Sequence, residues 1–132
     1  MTQQFSDLRF LVIDDSRSMR RIVRKFLENS GVTRIAEADN GQSALEIIRF
    51  QTLDMIISDL NMPVMSGMEL LEILKAEPEL ENICFIMLTV EAIQKTMNQA
   101  LKMGADAYIV KPVTEKLFIE QLKQVLWGVA AD

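Results

Sequence analysis

Four short, continuous apolar runs and one weakly alternating run, each followed by a stretch of helical periodicity, constrain this chain more than any other feature. The continuous runs are Arg9-Phe10-Leu11-Val12-Ile13, Met55-Ile56-Ile57-Ser58, Ile83 to Leu88 and Ala107-Tyr108-Ile109-Val110. Such runs are too short for ordinary helices, and unbroken apolarity suits strands covered on both faces, as in a parallel sheet. Thr33 to Ala38 alternates only weakly and reads as an edge strand. Between these runs the period changes. Met19, Ile22, Val23, Phe26 and Leu27 fall on one helical face that stops near Gly31, and Asn40-Gly41 opens a second helix through Ala44, Leu45, Ile47 and Ile48. Met68 to Ala76 forms a third, ended by Glu77-Pro78. Ala92, Ile93, Met97, Ala100 and Leu101 mark the inner face of a fourth, closed by Gly104, and Phe118, Leu122, Val125 and Leu126 that of a fifth, from about Thr114. Alternation of this kind predicts an α/β fold: a doubly wound parallel sheet of five strands with five helices. A single domain over residues 1–132, with no output domain, is the expectation.

Composition removes several functions. A formal charge of -5 argues against sequence-independent nucleic-acid binding, which needs a basic surface. The chain has no histidine and one cysteine, so His-dependent triads, the usual zinc ligand sets and an internal disulfide are all excluded. Cys84 lies inside an apolar run and reads as a buried thiol, compatible with a reducing cytoplasm. No stretch has the length needed for membrane insertion, and Met1-Thr2-Gln3-Gln4 is no signal peptide. The nine methionines are spread through strands, helices and a loop and read as core filling.

In open parallel sheets, chemistry sits at the carboxyl ends of the strands. Asp14 and Asp15 leave the first strand, Asp59 the third, Thr89 the fourth and Lys111 the fifth. An Asp leaving a strand is by itself an ordinary turn former or helix cap. Three carboxylates brought together are different, because each like-charge pair at 4 Å costs about 1 kcal/mol in water and about 4 at an effective dielectric of 20. Lys111 supplies one counter-charge, and a hard dication such as Mg2+, with a few oxygens and several waters, supplies two. Carboxylate, hydroxyl donor, ammonium and Mg2+ together are the equipment of phosphoryl transfer, with Asp59 as nucleophile. Without histidine this chain cannot carry phosphohistidine, so any such donor is another protein or domain.

These residues, with Leu11-Val12-Ile13-Asp14-Asp15-Ser16 and Met62-Pro63-Val64-Met65-Ser66-Gly67 around them, resemble the receiver domain of two-component response regulators over about residues 8–128. Within that family the single-domain chemotaxis regulators are most similar, through Ser18 to Arg24, Asp59-Leu60-Asn61-Met62-Pro63, Glu91 two after Thr89, and Tyr108 three before Lys111. The resemblance implies the flavodoxin-like strand order 2-1-3-4-5. It implies Mg2+ held by Asp15, Asp59 and the Asn61 carbonyl, with Asp14 acting through water, and a cis Lys111-Pro112 bond. Asp59 is the implied phosphoacceptor, and Lys111, Thr89 and Tyr108 the implied switch residues. Asn61, Val90 and Glu91 are placed where phosphoryl turnover is tuned. The implied protein is a cytoplasmic signalling switch, not an enzyme. Its implied partners are a sensor histidine kinase or phosphotransfer protein, a downstream target such as a flagellar motor switch protein, a phosphatase, and a second copy in a phosphorylation-dependent dimer.

Some residues depart from the pattern or leave a choice. Val90 stands where the family has a small residue, and its bulk is expected to change phosphoryl lifetime. Leu60 replaces the Trp of the best-known relative. Ile119 and Trp127 are expected to face outwards on the last helix, on the surface that the fourth helix, fifth strand and fifth helix share. Arg17, Arg20, Arg21, Arg24 and Lys25 form either a solvated face or a dock for an acidic partner. A relay intermediate or phosphate sink needs the same acidic edge. A haloacid dehalogenase-like phosphohydrolase also uses a strand-end Asp, but that family places an acid two residues later, where this chain has Asn61. A flavin module is disfavoured because Asp14-Asp15 would repel its phosphate.

Overall fold

The computed structural model describes residues 3–128. Five parallel strands, β1 (Arg9–Ile13), β2 (Arg34–Ala38), β3 (Met55–Ser58), β4 (Cys84–Thr89) and β5 (Ala107–Val110), lie in the order β2-β1-β3-β4-β5. Helices α1 (Arg17–Asn29), α2 (Gly41–Phe50), α3 (Gly67–Ala76), α4 (Gln94–Met103) and α5 (Glu115–Trp127) make the crossovers. This is the doubly wound architecture expected from the alternation of runs, in the flavodoxin-like order that the family resemblance implied.

Two apolar layers hold the sheet. Side chains alternate along each strand, so Phe10 and Val12 enter the layer beneath α1 and α5, while Leu11 and Ile13 enter the layer beneath α2, α3 and α4. Fully burying one such side chain contributes roughly 1.5–3 kcal/mol, against about 0–1 for an exposed ion pair. The core therefore carries the stability. Helix starts follow the local chemistry: Ser16, Asn40, Ser66 and Thr114 accept hydrogen bonds from the backbone N–H groups of Met19, Ser43, Glu69 and Leu117. Helix α4 differs. Its N-cap is Ile93, which offers no side-chain acceptor.

Five expectations fail in the packing. Ile119 is only 8% exposed and lies in the core beside Phe118 and Leu122. Trp127 is half-buried against Phe5, with ring centroids 4.9 Å apart, and its Nε1 donates to Gln3 Oε1 at 3.3 Å. A short 3-10 turn, Phe5–Asp7, brings the amino-terminal segment under the end of α5, an element with no apolar period to announce it. On α4 only Ala100 is fully buried, whereas Ile93 and Leu101 are exposed. Ala92 and Ile93 precede the helix, Ile93 in extended backbone, so they do not continue its stripe. Ile22 is likewise exposed, at the margin of the α1 stripe. Cys84 is half-buried instead of buried. Partial burial, then the charge of Asp106, raises its thiol pKa above the ordinary value. Alkylation by iodoacetamide near about pH 8 should therefore be slower than for cysteine in an unfolded peptide; an equal rate would show an ionised, accessible thiol.

The basic face of α1 divides in two. Arg20 and Arg24 pair with Glu37 of β2 at 3.1 and 2.8 Å, and Arg20 Nη1 also donates to the Asp14 carbonyl at 2.6 Å. Burial alone would raise the Glu37 pKa, but Arg24 and then Arg20 outweigh it and hold the carboxyl below its ordinary value. These two arginines tie α1 to the sheet. Arg17, Arg21 and Lys25 make no ion pair among the described residues.

Candidate functional site

The register of the sheet builds the site. Ile13 pairs with Ser58, so the next residues, Asp14 and Asp59, emerge side by side. Their backbone ladders run one residue past the strands: Asp14 N donates to Ala38 O and Asp59 N to Ile13 O. On the far side Thr89 pairs with Val110, and Lys111 N donates to Thr89 O at 2.8 Å. Residues spread across the sequence thus share one edge.

At that edge Asp14, Asp15 and Asp59 each offer an oxygen within 4.8 Å of the others. Lys111 Nζ lies 2.8 Å from Asp14 Oδ2 and 3.5 Å from Asp59 Oδ2. One ammonium against three carboxylates leaves excess negative charge. Asp14 is 4% exposed, so solvent screens it poorly, while Asp15 is open to water. An all-oxygen set with one solvent-facing member suits a hard dication that keeps part of its water shell. The remaining Asp59 oxygen, Oδ1, accepts from Leu60 N at 2.7 Å, which orients the carboxylate. Lys111-Pro112 is cis.

Thr89 is fully buried, and its Oγ1 accepts from Glu91 N at 3.3 Å, which leaves the hydroxyl proton for another acceptor. Tyr108 OH donates to the Glu91 carbonyl at 2.9 Å. Its pKa is raised, first by burial and then by the charges of Glu91 and Asp59. Asn61 Nδ2 donates to Glu91 Oε2 at 3.3 Å, which bridges the loops that leave β3 and β4. Val90 is 70% exposed, so most of its bulk faces solvent. Val64, 79% exposed, has φ of 70°, a left-handed conformation that costs a non-glycine residue about 1–2 kcal/mol. Two contributors escaped sequence reasoning. Ser58 is fully buried and its hydroxyl donates to the Asp59 carbonyl at 2.8 Å, and Thr96 Oγ1 donates to Glu91 Oε1 at 3.1 Å. Ser58 was legible as the one hydroxyl within an apolar run; Thr96 had no signal.

Residues 10–123 match the family described as "Response regulator receiver domain". The chain belongs to the response regulator receiver family. This receiver domain is 34% identical over 118 residues to the chemotaxis protein CheY of Pseudomonas aeruginosa, a match covering 89% of this chain and 95% of that protein. It is 35% identical over 119 residues to the chemotaxis protein CheY-3 of Vibrio cholerae, covering 90% and 92%. Among solved structures, the chemotaxis response regulator CheY4 of Vibrio cholerae superposes with a TM-score of 0.83 at 31% identity, over 90% of this chain and 98% of that one. The signal receiver domain of a signal transduction histidine kinase from Syntrophus aciditrophicus gives 0.83 at 30%, over 95% and 94%. Family members are signalling proteins, which sets the dehalogenase reading aside. No helix among the described residues is long and apolar enough to cross a membrane.

Proposed function

We propose that this receiver domain is a phosphorylation-dependent switch that takes a phosphoryl group on Asp59. The observation that carries the reading is the meeting of Asp14, Asp15 and Asp59 with one neutralising ammonium, Lys111. An Asp59 carboxylate oxygen forms the new O–P bond while the donor's P–N or P–O bond breaks and its electron pair leaves with the donor. Lys111 turns from the carboxylate towards a phosphoryl oxygen, and the Thr89 hydroxyl donates to another. Asp15, Asp59 and the Asn61 carbonyl would hold Mg2+, with Asp14 contacting it through water. When bound, that ion supplies charge neutralisation at the phosphoryl oxygens. Val90, Asn61 and Glu91 border the approach and tune turnover.

The donor is a histidine kinase or phosphotransfer protein, since this chain has no histidine of its own. The output is altered binding of a downstream protein by the surface of α4, β5 and α5, where Ile93, Leu101 and Leu117 are exposed. Chemotaxis, with a motor switch protein as target, is favoured by the CheY relatives. A relay intermediate or phosphate sink is the second reading, favoured by the equal likeness to a kinase's receiver domain. Incubation with acetyl phosphate should label the protein only with Mg2+ present. A chelator should remove that labelling, and label surviving chelation would overturn the metal's part. Pull-down with and without beryllofluoride separates the readings. Capture of a motor component favours chemotaxis, and capture of a phosphotransfer protein alone favours the relay.

A further inference from the structure

We propose that Thr96, in the first turn of α4, is a positioning residue that sets the lifetime of the phosphoryl group, acting through Glu91 and Asn61. The inference rests on the phosphoacceptor reading of Asp59. Glu91 is where four parts of the molecule meet. Its backbone N–H reaches Thr89 Oγ1, and its carbonyl accepts from Tyr108 OH. Its carboxylate divides between two donors: Oε1 takes the Thr96 hydroxyl at 3.1 Å, and Oε2 takes Asn61 Nδ2 at 3.3 Å. A free Glu side chain samples many rotamers, and holding it in one carries an entropic cost. One bond to an exposed Asn amide does not fix it. The second bond, from a half-buried Thr on a helix, removes that freedom.

Helix α4 has no side-chain cap at Ile93, so the Thr96–Glu91 bond is also what ties its first turn to the preceding loop. A purely structural cap is the competing account. The difference lies at Asn61, because the Glu91–Asn61 bridge joins the two loops flanking Asp59. In phosphoryl transfer the attacking and leaving oxygens lie roughly in line. Hydrolysis thus brings water in opposite Asp59, through the gap between these loops. Water forms the new P–O bond, the bond to Asp59 breaks with its electron pair returning to the carboxylate, and the water's proton leaves to solvent. A bridge held shut by Thr96 slows that approach. Thr96 also lies on α4, so a partner that moves this turn changes the lifetime, and the lifetime reports on the partner.

The test uses the full chain loaded by acetyl phosphate with Mg2+, reading the decay of label after the donor is removed. Thr96→Val keeps the shape and deletes the donor; decay should quicken about five-fold, the effect of one ordinary hydrogen bond at a barrier. Thr96→Ser should restore the parent rate. Adding Thr96→Val to Asn61→Ala should change nothing further, because Thr96 acts on the lifetime only through the bridge that Asn61 completes. A folded Thr96→Val protein with parental or longer lifetime overturns the proposal, as does a full effect in the Asn61→Ala background, which is what a helix cap acting without the bridge gives. Absence of label in the unaltered protein overturns the Asp59 reading and this inference with it.

Discussion

Asp59→Asn should abolish labelling by acetyl phosphate or a phosphohistidine donor while leaving the protein folded and at least as stable as its parent. Asn keeps the side-chain oxygen that accepts from Leu60 N and nearly the same volume. It has no carboxylate to attack phosphorus, so the loss is complete. The stability follows from charge. Asp59 shares the edge with Asp14 and Asp15 within 4.8 Å, and removing one of three like charges relieves two repulsions. It forfeits one attraction, to Lys111 at 3.5 Å, while the shorter Lys111–Asp14 pair at 2.8 Å survives. With pair energies between about 1 and 4 kcal/mol at this separation, the balance is a gain of roughly 1 kcal/mol in the absence of dication. Thermal unfolding in chelator and phosphate labelling in Mg2+ check the two halves. Retained label moves the phosphoacceptor elsewhere; a lower melting temperature shows that the carboxylates do not repel as their spacing implies.

That carboxyl edge was readable from sequence because the information is local. Each of Asp14, Asp59, Thr89 and Lys111 follows an apolar run directly, and parallel pairing delivers strand ends to one side whatever the helices do. The strand order itself came only with the family resemblance. What escaped depends on contacts between distant segments or on helix phase. Trp127 looks exposed on α5 until Phe5 and Gln3 arrive from the other end of the chain. Ile93 looks helical by spacing, but α4 starts one residue later, and its side chain turns to solvent. Arg20 and Arg24 look like a solvated face because Glu37, their partner, sits on a neighbouring strand. The Thr96–Glu91 bond is invisible for a different reason: it is local, but a single Thr in a polar turn has no period.

Gly67→Ala should be the most damaging small substitution near the site, although its side chain touches no phosphoryl group. Gly67 opens α3, and its N–H donates to Leu60 O at 2.9 Å, which holds the helix start directly under the loop that follows Asp59. A Cβ there would collide with the Asp59 backbone carbonyl and come within 3.1 Å of Met87 Sδ. Met87 is fully buried and the Asp59 carbonyl already accepts from Ser58, so neither yields without moving the strand end. Overpacking of this kind costs about 1–3 kcal/mol. The functional loss should be larger, because displacing a reacting group by about 1 Å lowers a rate on the order of 100-fold. Gly31→Ala is the control: Gly31 has φ of 102° with nothing within 4 Å of an added Cβ, far from the carboxyl edge at the end of α1. It should lose about 1 kcal/mol through backbone conformation alone and label at the parental rate. If Gly67→Ala also labels normally, the strand end tolerates displacement, and Asp59 is positioned by its own hydrogen bonds and not by the packing of α3 beneath it.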